Sequence, residues 1–236
     1  MHFLIYTNLT NYLEFFSKTA KEYNLYIQPG TLPVKIPSGK FRNRACFFSP
    51  NGQHDYQDKI IITPSENALT EFSGGDKIKI FDTPYGKMGI VVCYDSEFPA
   101  LVHLLAHKND VKIILVPSYT DTMHGFYRVH LACRAHALEY QCYVVQACAH
   151  AKVNVCDFLD ATAVGSAGIF APPDDGFPEN GILALGDARI YNELVGATLS
   201  LEKLDHVRAN GQVRNFNDHF LLEKIQQTVN IEKINF

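Results

Sequence analysis

Cys93 follows the unbroken apolar run Met88-Gly89-Ile90-Val91-Val92, and a helical pattern opens soon after it at Pro99. A thiol at such a strand-to-helix corner is well placed to attack an electrophilic carbon. The N–H groups that open the next turn have no partners inside it, so they can lower a thiol pKa and bind an oxyanion. Tyr94 would supply one of them. Taken by itself, a cysteine in an apolar strand is more often a packed core thiol, so the neighbours decide the reading.

Two other groupings of reactive side chains are present. His130, Cys133 and His136 recur along one helical pattern, with His124 just upstream, and these are zinc-ligand residue types. At that spacing they fan around a helix and converge poorly on one ion, so no metal is expected. A Cys–His hydrolase would take one of the ten histidines as its base. No histidine has a recognisable partner context, and a lone histidine is commonly a surface or satisfied core residue.

The elements that must position these groups follow from periodicity. Residues 11–23 place Leu13, Phe16 and Ala20 on one face and Glu14, Lys18 and Lys21 elsewhere, the spacing of an amphipathic helix. Strands are expected at 25–28, before Pro29-Gly30, and at 45–49, before the turn Asn51-Gly52. Residues 77–81 alternate charge and isoleucine, Pro84-Tyr85-Gly86 reverses the chain, and 88–92 reads as a buried strand. Helices at 99–107 and 126–140 then alternate with strands at 111–116 and 143–147. A strand near 193–201, a short helix at 202–209 and a helical stretch at 220–229 complete the chain. This is an α/β pattern over a single domain, residues 1–236, with hairpin character. Two sheets with helices outside satisfy it.

Composition narrows the partners. Apolar residues make up 47% and charged residues 19%, ordinary for a packed globular chain. A formal charge of -4 with scattered lysines and arginines gives no footprint for nucleic acid. No apolar run approaches the roughly 18–20 residues of a membrane span, and the opening MHFLIYTNLTNYLEF lacks the pattern of an export signal. A cytoplasmic protein is expected, with the six cysteines (46, 93, 133, 142, 148, 156) reduced and no organic cofactor.

The segment GKMGIVVCYDSEFPALVHLLA resembles the nucleophile segment of the nitrilase superfamily of carbon–nitrogen hydrolases: a glycine-led apolar strand, Cys93, Asp95, and the helix-opening pair Phe98-Pro99. Upstream, DYQDKIIITPSE is similar to the segment carrying that family's lysine. Downstream, VHLACRAHALEYQCYVVQA resembles its Arg-Ala…Glu-Asn helix, with Arg134 and Glu139 matching as structural support and Tyr140 replacing the usual Asn. VGSAGIFAPP and VRANGQVRNFNDH also resemble family landmarks, and PSYTDTMHGFYRV is similar to a bacterial branch often joined to an N-terminal acetyltransferase domain.

The resemblance implies an αββα sandwich of two mixed sheets flanked by helices. It implies hydrolysis of a small amide or nitrile, with Cys93 as nucleophile, Lys59 as the cation at the oxyanion, and Glu66 orienting that lysine. It also implies a homo-oligomer paired across a helical face, with 219–236 as a C-terminal extension. Asp121, His124 and Tyr127, after the strand ending at Val116, are candidate pocket contacts. In the resembled family the general base is a glutamate in a Pro-Glu pair before the first helix seen here. No such pair precedes residue 11, so the first strand-helix-strand unit and the general-base glutamate are expected to be missing. Loss of one positioned acid–base group costs about 10²–10⁴ in rate. The expectation is therefore a weak enzyme unless a separate polypeptide supplies that piece; the alternative is an inactive fragment or subunit acting as an interaction partner.

Overall fold

In the computed structural model, α1 (Leu9–Tyr23) turns Leu9, Tyr12, Leu13, Phe16 and the fully buried Ala20 to one side. They rest on an antiparallel sheet ordered β1 (Thr31–Lys35), β2 (Phe41–Phe48), β3 (His54–Asp58). All four residues from Ala45 to Phe48 are buried, because alternate side chains of a strand enter different layers. Cys46 and Phe48 pack toward α1, whereas Ala45 and Phe47 meet Ile90 and Val92 of a second sheet. The structure describes residues 9–68, 71–156, 159–188, 190 and 193–234, with the side chains of 151–162 and 223 outside that description.

After a short α2 (Pro64–Ala68), the larger sheet begins with β4 (Ile80–Thr83) and β5 (Gly86–Ile90). It continues with α3 (Pro99–Asn109), β6 (Ile113–Ser118), α4 (Met123–Glu139) and β7 (Tyr143–Cys148). A separate hairpin of β8 (Ala151–Cys156) and β9 (Leu159–Ala163) precedes β10 (Gly168–Phe170) and β11 (Ile182–Leu185). The sheet order is β11-β10-β7-β6-β5-β4; β5, β6 and β7 are parallel and the outer pairs antiparallel. Ile114, Val116, Val144 and Phe170 face Val102, Leu105, Val129 and Cys133 of α3 and α4. Two sheets thus lie between helices, the expected architecture.

Three expected elements differ. Residues 25–28 form only a single bridge, Ile27 to Phe48, since Pro29 has no N–H and Gly30 takes a φ of 90°. The segment 193–200 is not a strand: among the described residues no strand runs beside it to complete a ladder. The final helix begins earlier, as α6 (Asn215–Ile225), following α5 (Leu201–Asn210). Its Phe216, His219 and Phe220 pack on His107 of α3. Leu221, Leu222, Ile225, Val229 and Ile231 are exposed and so do not cover the chain's own sheet. Among the described residues no helix is long and apolar enough to cross a membrane.

Candidate active site

Cys93 is not the last residue of a strand. β5 ends at Ile90, one further ladder bond joins the Val91 N–H to the Leu115 carbonyl at 3.0 Å, and the chain then enters a 3-10 turn, Cys93–Glu97. The φ of Cys93 is +49°, a left-handed conformation that costs a residue with a Cβ about 1–3 kcal/mol. Local bonds hold it there. The Ser96 hydroxyl donates to the Cys93 carbonyl at 2.7 Å, the Asp95 N–H to the Val92 carbonyl at 3.0 Å, and the Val92 N–H to the Asp95 carboxylate at 3.3 Å.

Lys59 follows β3 and is only 3% exposed. Its Nζ donates to Glu66 Oε2 at 2.7 Å, an ion pair that lets the ammonium stay charged away from water. Glu66 sits in the first turn of α2, where it also accepts from the Thr63 N–H, the Thr63 hydroxyl and the Asn43 amide. Burial pushes its carboxyl up, but the bonds from Lys59 and Thr63 and the Lys59 charge carry it below the ordinary value.

Asp95 joins the two halves. Its carboxylate, 1% exposed, accepts from the Ile60 N–H at 3.0 Å and the Ile61 N–H at 2.7 Å, as well as from Val92. The residues just after Lys59 are thereby tied to the turn that presents Cys93. In the sequence Asp95 stands only as part of the nucleophile motif, an acidic residue two places after the cysteine. Burial raises this carboxyl above its ordinary value, against the pull of Ile60, Ile61, Lys59 and Val92.

The Cys93 thiol donates to the Tyr119 carbonyl at 3.5 Å. Burial pushes the thiol up; the Lys59 charge is the strongest opposing influence, joined by backbone hydrogen bonds at Tyr119 and Tyr94. The Lys59–Glu66 pair and Cys93 are thus linked through the charge of Lys59.

The remaining expected residues lie further out. Asp121, His124 and Tyr127 are exposed at the start of α4, just beyond Tyr119. Arg134 donates to the Asn180 carbonyl at 3.3 Å and lines a cavity of about 280 Å³ with Ala135, Leu138 and Pro173, apart from Cys93. Glu139 bonds to His136. His130 faces Phe126 and Phe170, Cys133 lies in the core, and His136 reaches the Ser96 carbonyl, so these three side chains diverge. A polar cavity of about 180 Å³ opens beside Cys148, whose thiol also influences Cys93; Ser166, Asp187 and Glu193 line it.

The fold and site define a two-sheet α/β sandwich that presents a strained-turn cysteine beside a buried lysine–glutamate pair. Residues 5–195 match the carbon–nitrogen hydrolase family, and the chain belongs to it. It is 36% identical over 208 residues to the probable hydrolase YhcX of Bacillus subtilis, across 88% of this chain and 40% of that protein. It is 34% identical over 146 residues to omega-amidase NIT2-B of Xenopus laevis, across 57% of this chain and 51% of that one. The chain thus spans about half or less of these relatives' length. Saccharomyces cerevisiae Nit3, a member of branch 10 of the nitrilase superfamily, superposes with a TM-score of 0.71 at 26% identity, covering 84% of this chain and 68% of that chain. A carbon–nitrogen hydrolase from Helicobacter pylori shares the fold, with a TM-score of 0.73 at 20% identity over 87% of this chain and 72% of the other.

Proposed function

We propose that this protein hydrolyses a small amide through a thioester on Cys93. The thiolate attacks the carbonyl carbon, and the oxyanion is met by Lys59 and the Tyr94 N–H. The carbon–nitrogen bond breaks as the nitrogen gains a proton and leaves as the amine or ammonia. Water then adds to the thioester, releasing a carboxylic acid and the free thiol. The observation that carries this reading is Lys59, kept charged in a buried setting by Glu66 and acting on the Cys93 thiol. The omega-amidase relatives favour an amide over a nitrile.

Proton transfer needs a further group, because the Cys93 thiol is raised and the leaving nitrogen must be protonated. Glu66 is committed to Lys59, Glu97 to Arg128, and Glu139 to His136. Glu14 and Glu22 are exposed on α1. We therefore assign the base to a carboxylate other than these five, for which a separate polypeptide is one source. A second copy of the chain is proposed to pair along α4, where Met123, Tyr127, Leu131 and Leu138 form an exposed apolar row.

The test measures ammonia release from small carboxamides by the wild-type chain, C93A and K59M, with mass spectrometry of the trapped thioester. Loss of both turnover and adduct in C93A is expected. Turnover by C93A at the wild-type rate would sink the reading, and light scattering that finds only monomer would remove the pairing.

A further inference from the structure

Asn43 stands in β2, the central strand of its sheet. Asparagine is depleted from strands, and one turned inward needs a polar partner for its amide. By the alternation of a strand it shares a face with Ala45 and Phe47, the face that meets Ile90 and Val92 of the larger sheet. Its partner is Glu66: Asn43 Nδ2 donates to Glu66 Oε1 at 3.1 Å. A carboxylate only accepts, so the NH2 end of the amide is the one that faces it.

The main chain of the same residue holds the other member of the ion pair. The Lys59 N–H donates to the Asn43 carbonyl at 2.8 Å, and the Lys59 carbonyl accepts from the Gly75 N–H at 2.7 Å. Asn43 thus bonds both to the backbone of Lys59 and to the carboxylate of Glu66.

The two oxygens of Glu66 are unequally served. Oε2 accepts from Lys59 Nζ at 2.7 Å and from the Thr63 N–H and hydroxyl, each at 2.9 Å. Among the described residues Oε1 accepts from Asn43 alone. Holding both oxygens sets the plane of a carboxylate, whereas holding one leaves it free to turn about its Cγ–Cδ bond. Among the described residues Glu66 is in turn the only hydrogen-bond acceptor of the Lys59 ammonium. An ammonium carries three N–H donors, so where the other two point follows from where Glu66 holds the first.

We propose that Asn43 is a positioning residue whose side-chain amide fixes the Glu66 carboxylate and, through it, the Lys59 ammonium that serves Cys93. The proposal rests on Lys59 being the cation beside the Cys93 nucleophile and adds the group that aims it. The main-chain bond between Asn43 and Lys59 does not involve the amide, so a substitution at this position tests the side chain by itself.

The experiment measures the second-order rate at which iodoacetamide alkylates Cys93 in the intact chain near neutral pH, by mass spectrometry of the peptides. The proteins compared are wild type, N43A, E66Q, N43A/E66Q and K59M, with circular dichroism to check folding. A misaimed ammonium stabilises the thiolate less, so Cys93 in N43A should react about tenfold more slowly, the low end of what a hydrogen bond to a charged group is worth. In the E66Q background the same substitution should change the rate by less than about twofold, because residues that act through one contact are not additive. Cys46, buried further along β2 with its thiol pushed up to about 11, should stay as unreactive in N43A as in wild type. Its labelling would mean that the strand had merely loosened. An N43A rate equal to wild type, the same loss in both backgrounds, or labelled Cys46 would each overturn the proposal. Should N43A not fold, N43D keeps the shape without the donor and decides instead. It should be at least about tenfold slower than wild type, and N43D/E66Q no slower than E66Q; any other result overturns the proposal. K59M alkylated at the wild-type rate would sink the Lys59 reading itself, whereas a slow K59M beside a fast N43A sinks this proposal alone.

Discussion

Replacing Glu66 by Gln removes a charge while keeping the shape of the side chain. Lys59 is 3% exposed and Glu66 19%, with the ion-pair atoms 2.7 Å apart. The amide can still accept from Thr63, but the buried ammonium loses its counter-charge. Removing one partner of a buried ion pair costs roughly 3–5 kcal/mol, and the partial exposure of Glu66 places this case near the lower figure. For a chain of this length each kcal/mol lowers Tm by about 2–4 °C, so E66Q should melt roughly 6–12 °C below the wild type. The pH dependence has a definite sign. The folded carboxyl lies below its ordinary value of 4.5, so its stabilisation is complete above that value and is lost as pH falls through the folded pKa. Urea titrations of both proteins, from neutral pH downward, should show a constant gap that closes in acid. Equal midpoints at neutral pH would refute the reasoning, as would a gap that survives in acid.

Three further outcomes follow from the geometry. D95A strips acceptors from the N–H groups of Ile60, Ile61 and Val92; at about 1–3 kcal/mol per buried unsatisfied group it should destabilise by at least about 3 kcal/mol. Hydrogen exchange should rise at 60–61 first, and unchanged protection there would contradict the clamp. In G165A the new Cβ would meet Cys148 Sγ at 2.5 Å and Phe126 Cδ2 at 2.7 Å, at a backbone φ of +144°, so a calorimetric Tm equal to that of wild type would be a failure of the packing argument. Thiol labelling of the native protein at mildly alkaline pH should reach the partly exposed Cys93 and Cys148 first, because burial pushes Cys46 to about 11 and Cys142 to about 12. Peptide mapping that finds Cys142 modified ahead of them would contradict this order.

What the sequence determined by itself is the set of features that depend on near neighbours. The amphipathic spacing of α1 and the apolar runs of β6 and β7 were legible because periodicity is a local property. The helix opened by Pro99 and the residue types at 59, 66 and 93 were legible from the pattern around them. Tertiary structure decided whatever depends on a partner far along the chain. Residues 193–200 have an extended pattern yet form no strand, since a strand exists only in a ladder. Asp95 read as a motif letter, and only the fold brought it to the N–H groups of Ile60 and Ile61. His136 read as one of three histidine and cysteine side chains on a helix, and its contact with Ser96 depends on how α4 lies against the turn. Cys93 itself was visible as a reactive residue type; its left-handed backbone and the charge of Lys59 acting on it arise only when the segment after β3 meets the turn after β5, because burial and electrostatic fields belong to the packed molecule.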